Sequence, residues 1–406
     1  MIQWKQIALD PSPSIEHTPP TDGRTLRIAL DVRTWSMSGL GTYVQHLLDG
    51  FADQALPVEW TLIGPTHLRD RMPANLAIRR WIHNDRPLYS LPSYARYPDC
   101  GSVQLFHYPH YNLPRHHAPR TLVSVFDLFH LEYGSWLQRR YQAFFLRRLR
   151  WRRAHLVTAC SRVRRKLIER ARLPGDRIHV IPLGPGHRPP AEPPTGNPHL
   201  QTLAGTPLEP PWLLALGIDQ PHKNMGFLIS ALGLYYQRRP EAPPLVWAGL
   251  APEDARRWVA RLPAYIRQRV LLEPRVDSDR LEQLFAGAHT LLFPSLDEGF
   301  GLPPLEAMAR GIPVLCARRE PMTTLLGEAP LYFEPDDSAS LWRMLNWLLD
   351  MPAGTRRELA RLGHQQVVRY DWHRTARETF RLYQRILQPT TDPRSARTRP
   401  TAKAQS

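Results

Sequence analysis

The chain has 406 residues, 42% of them hydrophobic and 22% charged, which excludes a largely disordered chain, a collagen or a small stapled scaffold and suggests two or three domains. The formal net charge is +16, and residues 101–190 concentrate it, with 17 Lys+Arg against Asp127, Glu132, Glu169 and Asp176; such a patch points to nucleic acid, an acidic membrane surface or phosphorylated substrates. Three scattered cysteines make no disulfide framework or zinc cluster, no apolar run nears the ~20 residues of a membrane-spanning helix, and the N-terminus lacks the apolar region of a signal peptide, so a soluble cytoplasmic protein is expected.

Residues 1–24 are polar and proline-bearing and read as a disordered lead-in. TLRIALDV then reads as a first buried strand, and SMSGLGTYVQHLLDGFA as a glycine loop and an amphipathic helix with Tyr43, Leu47, Leu48 and Phe51 on one side. Strand, glycine loop and helix open a doubly wound α/β domain. VEWTLIG, VQLFHY, TLVSVFDL, HLVTAC and RIHVIPL continue the strands of an N-terminal Rossmann-like domain over 25–184. Residues 185–211 are saturated with proline, lack periodicity and predict a linker or surface loop. WLLALG, PLVWAG, RVLLE, TLLFPS, PVLCA and LYFEP, separated by helical stretches, predict a second Rossmann-like domain over 212–370. A last helix over 371–388 and a disordered tail over 389–406 complete the chain.

The densest chemical signal is FPSLDEGFGLPPLEAMARGIPVL, residues 293–315. A strand ends at Phe293, a glycine-bearing loop follows, Pro303 and Pro304 open a helix, and Gly311 follows its end. Such a loop brings backbone N–H groups to a helix N-terminus, where phosphate or sugar oxygens are well received. Glu298 stands on the loop and Glu306 in the helix, so two carboxylates could divide sugar and ribose hydroxyls between them. Taken alone, Glu298 also reads as a helix-capping acid and Glu306 as a solvated residue.

The whole stretch closely resembles the E-x7-E signature of the retaining family 4 glycosyltransferases, with EGFGLP, LEAMA and GIPV in one register. LALGIDQPHKNMGFLISAL resembles the family's strand–loop–helix around its "PRKN", with His222 where arginine is usual and Lys223 retained. SGLGTYVQHLL resembles the family's glycine loop, and FHYPHYNLP, LVSVFDLFHLEY, TACSRVRRKLI, IPLGPG and YDWHRTARETFRLYQRIL resemble further segments, so the resemblance covers about residues 26–388. It implies the GT-B architecture, two facing Rossmann-like domains with a cleft between them, the last helix crossing back to the first domain. It also implies transfer of a hexose or deoxyhexose, in a mannosyltransferase-like reaction, from a nucleotide-diphosphate sugar such as GDP-mannose to a lipid-linked or polysaccharide acceptor, with retention and without a metal.

Carried over residue by residue, the resemblance implies that Lys223 neutralises the departing diphosphate and that Glu298 receives hydroxyls of the transferred sugar. The backbone of Phe300, Gly301 and Leu302 would contact sugar and phosphate, and Glu306 the ribose. Gly39 and Gly41 would approach the diphosphate from the other side of the cleft, and Asp127 and His130 would line the substrate site. Two departures stand out: Ile218 and His222 occupy the loop where an arginine often precedes the lysine, and Phe126 stands where a histidine often precedes the aspartate. A phenylalanine there either offers a donor's 6-position apolar contact in place of a hydrogen bond, or simply packs at the end of its strand while His130 or another group takes the polar contact.

Other patterns compete. Asp277-Ser278-Asp279 spells the D-x-D of metal-dependent transferases but precedes a helix, where Asp and Ser are ordinary N-caps. His107, His110, His116 and His117 lack the register of a metal site and read as solvent-facing or acceptor-lining. Residues 136–155 interleave seven arginines with Trp136, Tyr141, Phe144, Phe145, Leu149 and Trp151, either a basic helix at an anionic bilayer or a half-buried helix with a solvated arginine face. From other functional classes come a basic nucleic-acid-binding protein, which no recognised motif supports, and a catalytically silent scaffold.

Overall fold

The computed structural model describes residues 24–37, 39–90, 94–95, 97–186 and 200–388. The expectations for the lead-in up to residue 23, for 187–199 and for the tail from 389 lie outside the described residues.

Apolar runs without alternation make strands buried on both faces, as a parallel sheet covered by helices requires. Among the described residues the first half builds a seven-stranded parallel sheet from β1 (Leu26–Asp31), β2 (Val58–Gly64), β3 (Ile78–His83), β4 (Leu105–Tyr108), β5 (Arg120–Ser124), β6 (His155–Thr158) and β7 (Ile178–Val180). A short hairpin follows, β8 (Leu200–Gln201) with β9 (Pro207–Leu208). The second half builds a six-stranded parallel sheet from β10 (Trp212–Leu216), β11 (Leu245–Leu250), β12 (Val270–Pro274), β13 (Ala288–Phe293), β14 (Val314–Ala317) and β15 (Leu331–Phe333). The orders are β3-β2-β1-β4-β5-β6-β7 and β12-β11-β10-β13-β14-β15. Both contain the Rossmann order, which reverses once beside the first strand. In β10 and β11 the side chains alternate between two cores: Trp212, Leu214, Val246 and Ala248 in one, Leu213, Ala215, Leu245 and Trp247 in the other.

The final helix, Trp372–Leu387, packs against the Leu40–Asp53 helix of the first half. Gly50 permits the approach, since a methyl group there would lie 2.9 Å from Ala376 Cβ. Tyr383 anchors the helix: its hydroxyl shares a 2.6 Å hydrogen bond with Nδ1 of buried His107, whose Nε2 meets Ser124 Oγ at 2.8 Å.

Three expectations are corrected. β3 was not foreseen, because it is a sheet edge whose residues Arg79 and Arg80 face water and break the apolar pattern. The linker or loop reading of 185–211 fails over 200–208, where the hairpin forms and Leu203 N–H bonds to Val270 O at 2.9 Å; two-residue strands have no periodicity to read. The solvent-facing reading of the histidine cluster fails for His107, His110 and His116, which are buried, and stands for exposed His117.

Burial pushes His107 down to about 3 and His110, His116, His179 and His289 to about 4. A histidine whose folded value lies below its unfolded one favours folding least when the unfolded chain is protonated. Stability is therefore full above about pH 6.5 and falls as the pH drops towards 4. The thermal midpoint should be clearly lower at about pH 5 than at about pH 7.5; a flat profile in scanning calorimetry would refute this.

Candidate functional site

In open α/β sheets the ligand crevice lies beyond the carboxyl ends of the strands flanking the reversal in strand order. Here those strands are β1 and β4 in one sheet and β10 and β13 in the other. Gly39 and Gly41 follow β1, Lys223 follows β10, Glu298, Phe300, Gly301 and Leu302 follow β13, and Asp127 and His130 follow β5. Topology thus delivers the residues singled out by sequence to the facing ends of the two sheets.

Lys223 ends a tight turn, Pro221–Lys223, and Asn224 (φ +55°) starts the helix Met225–Arg238. Lys223 Nζ donates to Glu298 Oε1 at 2.6 Å, with both side chains largely buried, and lies 5.7 Å from the centre of the Phe293 ring. The capping reading of Glu298 therefore gives way to an ion pair. Gly301 begins the helix Leu302–Ala309 at φ +103°, a left-handed conformation, and a side chain there would collide with Met322. Because Pro303 and Pro304 carry no N–H, Leu302 is the one donor among the first three helical residues. Glu306 is buried, not solvated. Its Oε1 lies where a side chain on Gly186 would collide, and Thr42 borders the same spot. Gly41 is packed under the Trp35 carbonyl, whereas Gly39 (φ +53°) faces open space.

The cleft is bridged at several points. A side chain at Gly299 would collide with the Phe126 carbonyl, and Cys160 Sγ donates to Gly299 O at 3.1 Å. The His222 ring stacks on Phe129 at 3.9 Å between centres and 19° between planes. Burial, then the charge of Lys223, pushes His222 down to about 4, so it is neutral. Asp297, beside Glu298, accepts from Arg162 Nε at 3.1 Å and Lys166 Nζ at 2.5 Å, and Lys166 also reaches Glu132 at 2.7 Å. Against the opposing burial, Glu132 and Lys166 hold Asp297 below the usual carboxylate range, whereas burial and then Asp297 raise Glu132. Sequence reasoning missed Asp297, Arg162, Lys166 and Glu132; the available signal was the rarity of lysine, Lys166 being one of four in the chain.

A cavity of about 160 Å³ opens between Leu40, Tyr89, His110, Phe126, Asp127 and His130. Burial raises the Asp127 carboxyl, although it accepts the Phe129 N–H at 3.2 Å. His130 Nδ1 is held by the Tyr111 hydroxyl at 2.5 Å, and Tyr89 and Asn112 fix the His110 ring at 3.1 and 2.5 Å. The Phe126 ring meets Tyr43 edge-on at 4.7 Å and walls the cavity. Asp277 accepts the Arg280 N–H at 2.8 Å as the N-cap of Ser278–Ala286, which settles its local role.

Replacing Lys166 by Met would leave Asp297 and Glu132 facing each other in a buried site. The expected cost is about 3 kcal/mol, the low end for breaking a buried pair, because Arg162 and Arg170 remain. The double variant Lys166→Met/Glu132→Gln should recover part of it in chemical denaturation; an unchanged midpoint in the single variant would refute the bridge.

Residues 210–351 match the family model described as glycosyl transferases group 1. The chain is 26% identical over 322 residues to O-antigen chain mannosyltransferase B of Escherichia coli, covering 77% of this chain and 81% of that protein. It is 30% identical over 180 residues to the serotype-specific mannosyltransferase WbdA of Escherichia coli, covering 44% of this chain but only 22% of that longer protein. Its fold matches the sucrose-phosphate synthase structure from Thermosynechococcus elongatus with a TM-score of 0.64 at 18% identity, covering 89% and 99% of the two chains. Two facing Rossmann-like domains of the GT-B kind, with the matched segment spanning Lys223 and Glu298, give this chain a GT-B fold that carries a glycosyl transferases group 1 domain over residues 210–351.

Proposed function

We propose that this glycosyltransferase moves a mannose-type hexose or deoxyhexose from a nucleotide-diphosphate sugar to a glycan or lipid-linked acceptor, with retention of anomeric configuration. The observation that carries the reading is the Lys223–Glu298 pair at the β10/β13 crevice, facing the Asp127 and His130 cavity across the cleft. The mannosyltransferase names of the relatives support the sugar class.

The chemistry follows from the groups present. The bond from the sugar's anomeric carbon to the diphosphate breaks, and negative charge grows on the leaving phosphate. Lys223 is a compact cation that can meet that charge while its carboxylate partner turns to the sugar hydroxyls. Phe300, Gly301 and Leu302 offer backbone at the helix N-terminus to the phosphates, and Glu306 offers its carboxylate to the ribose. The acceptor, held beside Asp127 and His130, attacks on the face the diphosphate leaves, and its proton passes to the departing oxygen. Lys223 and the helix terminus meet the diphosphate charge without a metal, a reading supported by Asp277 being committed as a cap.

Lys223→Ala and Glu298→Ala should each lower kcat by roughly thirty- to a thousand-fold, the effect of losing about 2–4 kcal/mol of transition-state stabilisation, in protein whose circular dichroism shows it folded; each also leaves the partner charge unpaired in a largely buried site, so the thermal midpoint should fall as well. Glu306→Ala should mainly raise the donor KM. Steady-state kinetics with GDP-mannose test these, and NMR of the product's anomeric proton tests retention. Near-wild-type turnover in either catalytic variant would overturn the assignment.

Activity should survive EDTA; loss restored by magnesium or manganese would refute metal independence. Phe126, without a hydrogen-bonding group, should favour a 6-deoxyhexose donor. Comparing kcat/KM for GDP-rhamnose and GDP-mannose checks this, and a preference for mannose unaltered in Phe126→His would refute it.

A further inference from the structure

The helix Trp136–Trp151 has one conventional face and one that is not. Gln142, Phe145, Leu146 and Leu149 are buried against the first sheet's core. At 3.6 residues per turn, Trp136, Arg140, Phe144, Arg147 and Trp151 form a single stripe on the opposite side. That side should be polar on a helix that faces only water. Instead Trp136 is 66% exposed, Leu137 70%, Phe144 53% and Trp151 74%, among the most exposed large apolar side chains of the described residues. Arginines lie over both terminal rings: Arg140 is 4.8 Å from the centre of Trp136, and Arg147 is 5.9 Å from that of Trp151. The helix carries no acid.

At the Trp151 end the stripe meets an open basin of about 430 Å³ walled by Arg150, Arg153, Arg172 and Arg177, with Ile168 and Leu173. No acid lines it; Glu169 and Asp176, the acids nearest in sequence, lie outside its walls. Arg153 and Arg172 both adopt left-handed backbone, φ +51° and +52°, each just past the end of a helix. Glycine fits that conformation with less strain, yet arginine holds it twice around one basin.

We infer that this face is a docking surface for an anionic lipid bilayer. Trp136, Leu137, Phe144 and Trp151 enter the headgroup region, the stripe arginines stay at the polar level, and the four-arginine basin receives a lipid phosphate. Tryptophan at both ends with leucine and phenylalanine along the stripe suits an interface that is apolar on one side and wet on the other. A nucleic acid would match the arginines but leaves Leu137 and Phe144 unexplained. The Trp136 end follows the Phe129–Tyr133 turn that stacks on His222, so a docked molecule holds its cleft mouth close to the membrane. The docking does not depend on which sugar or acceptor the cleft takes.

The test is flotation of the full chain with phosphatidylcholine vesicles, with and without phosphatidylglycerol. The wild type should bind only the anionic vesicles. The variant Trp136→Ser/Phe144→Ser/Trp151→Ser should bind at least about tenfold more weakly, and so should Arg150→Gln/Arg153→Gly/Arg172→Gly/Arg177→Gln. Circular dichroism checks that both fold. Should either not fold, brominated lipids provide a second measurement: they should quench wild-type fluorescence, and Trp136→Phe/Trp151→Phe should abolish most of that quenching. No preference for anionic vesicles, or variants that bind like wild type, would overturn the inference. So would a basin that binds inorganic phosphate or an oligonucleotide while the protein ignores vesicles.

Discussion

Glu298 sits on a loop whose neighbours on both sides are committed to the other half of the molecule. Asp297 is tied to Arg162 and Lys166, and Gly299 is pressed against the Phe126 carbonyl with Cys160 bonded to its own. The loop therefore cannot move without breaking a buried ion pair and a close backbone contact, both costly to lose. In the role proposed for Glu298, a carboxylate that meets particular hydroxyls of a sugar would gain from such a mounting, because positional error at a reacting centre translates steeply into rate. The geometry of the chemistry is thus inherited from the closure of the cleft.

The Lys223–Glu298 pair follows the same logic. Largely buried opposite charges satisfy one another at 2.6 Å, so neither waits unpaired in a low-dielectric site. In the proposed reaction a diphosphate would offer Lys223 an anionic partner, and sugar hydroxyls would offer Glu298 hydrogen-bond donors. His222 contributes by being neutral: stacked on Phe129 where a cation would add to Lys223, it couples the lysine turn to the opposite wall. In this chain the lysine turn thus holds one cation, and the second position serves packing across the cleft.

Basic charge has two uses here. Lys166 and Arg162 are spent inside, holding the cleft to Asp297 and Glu132, while Arg139, Arg140, Arg147 and Arg150 of the Trp136–Trp151 helix remain on the surface beside the basin. One helix pairs a buried apolar face with an exposed aromatic one, so a single element is both a wall of the first domain and an apolar outer surface.

Much of this was written in the sequence. Strands buried on both faces, such as WLLAL, announce themselves as unbroken apolar runs, and the glutamate segment carries its turn, helix start and helix end in local chemistry. Edge strand β3 and the β8–β9 hairpin were illegible because water-facing or two-residue strands have no pattern of their own. Lys223 and Glu298 could be named from sequence, but their pairing spans 75 residues. The Lys166 bridge, the Phe129–His222 stack and the collision that keeps residue 299 a glycine exist only where two sheets built from different halves of the chain face each other. Periodicity and turn chemistry act over a few neighbours, so sequence alone determined the elements and the candidate residues; contacts between distant segments arise from three-dimensional packing, so only the tertiary structure decided which of those residues meet.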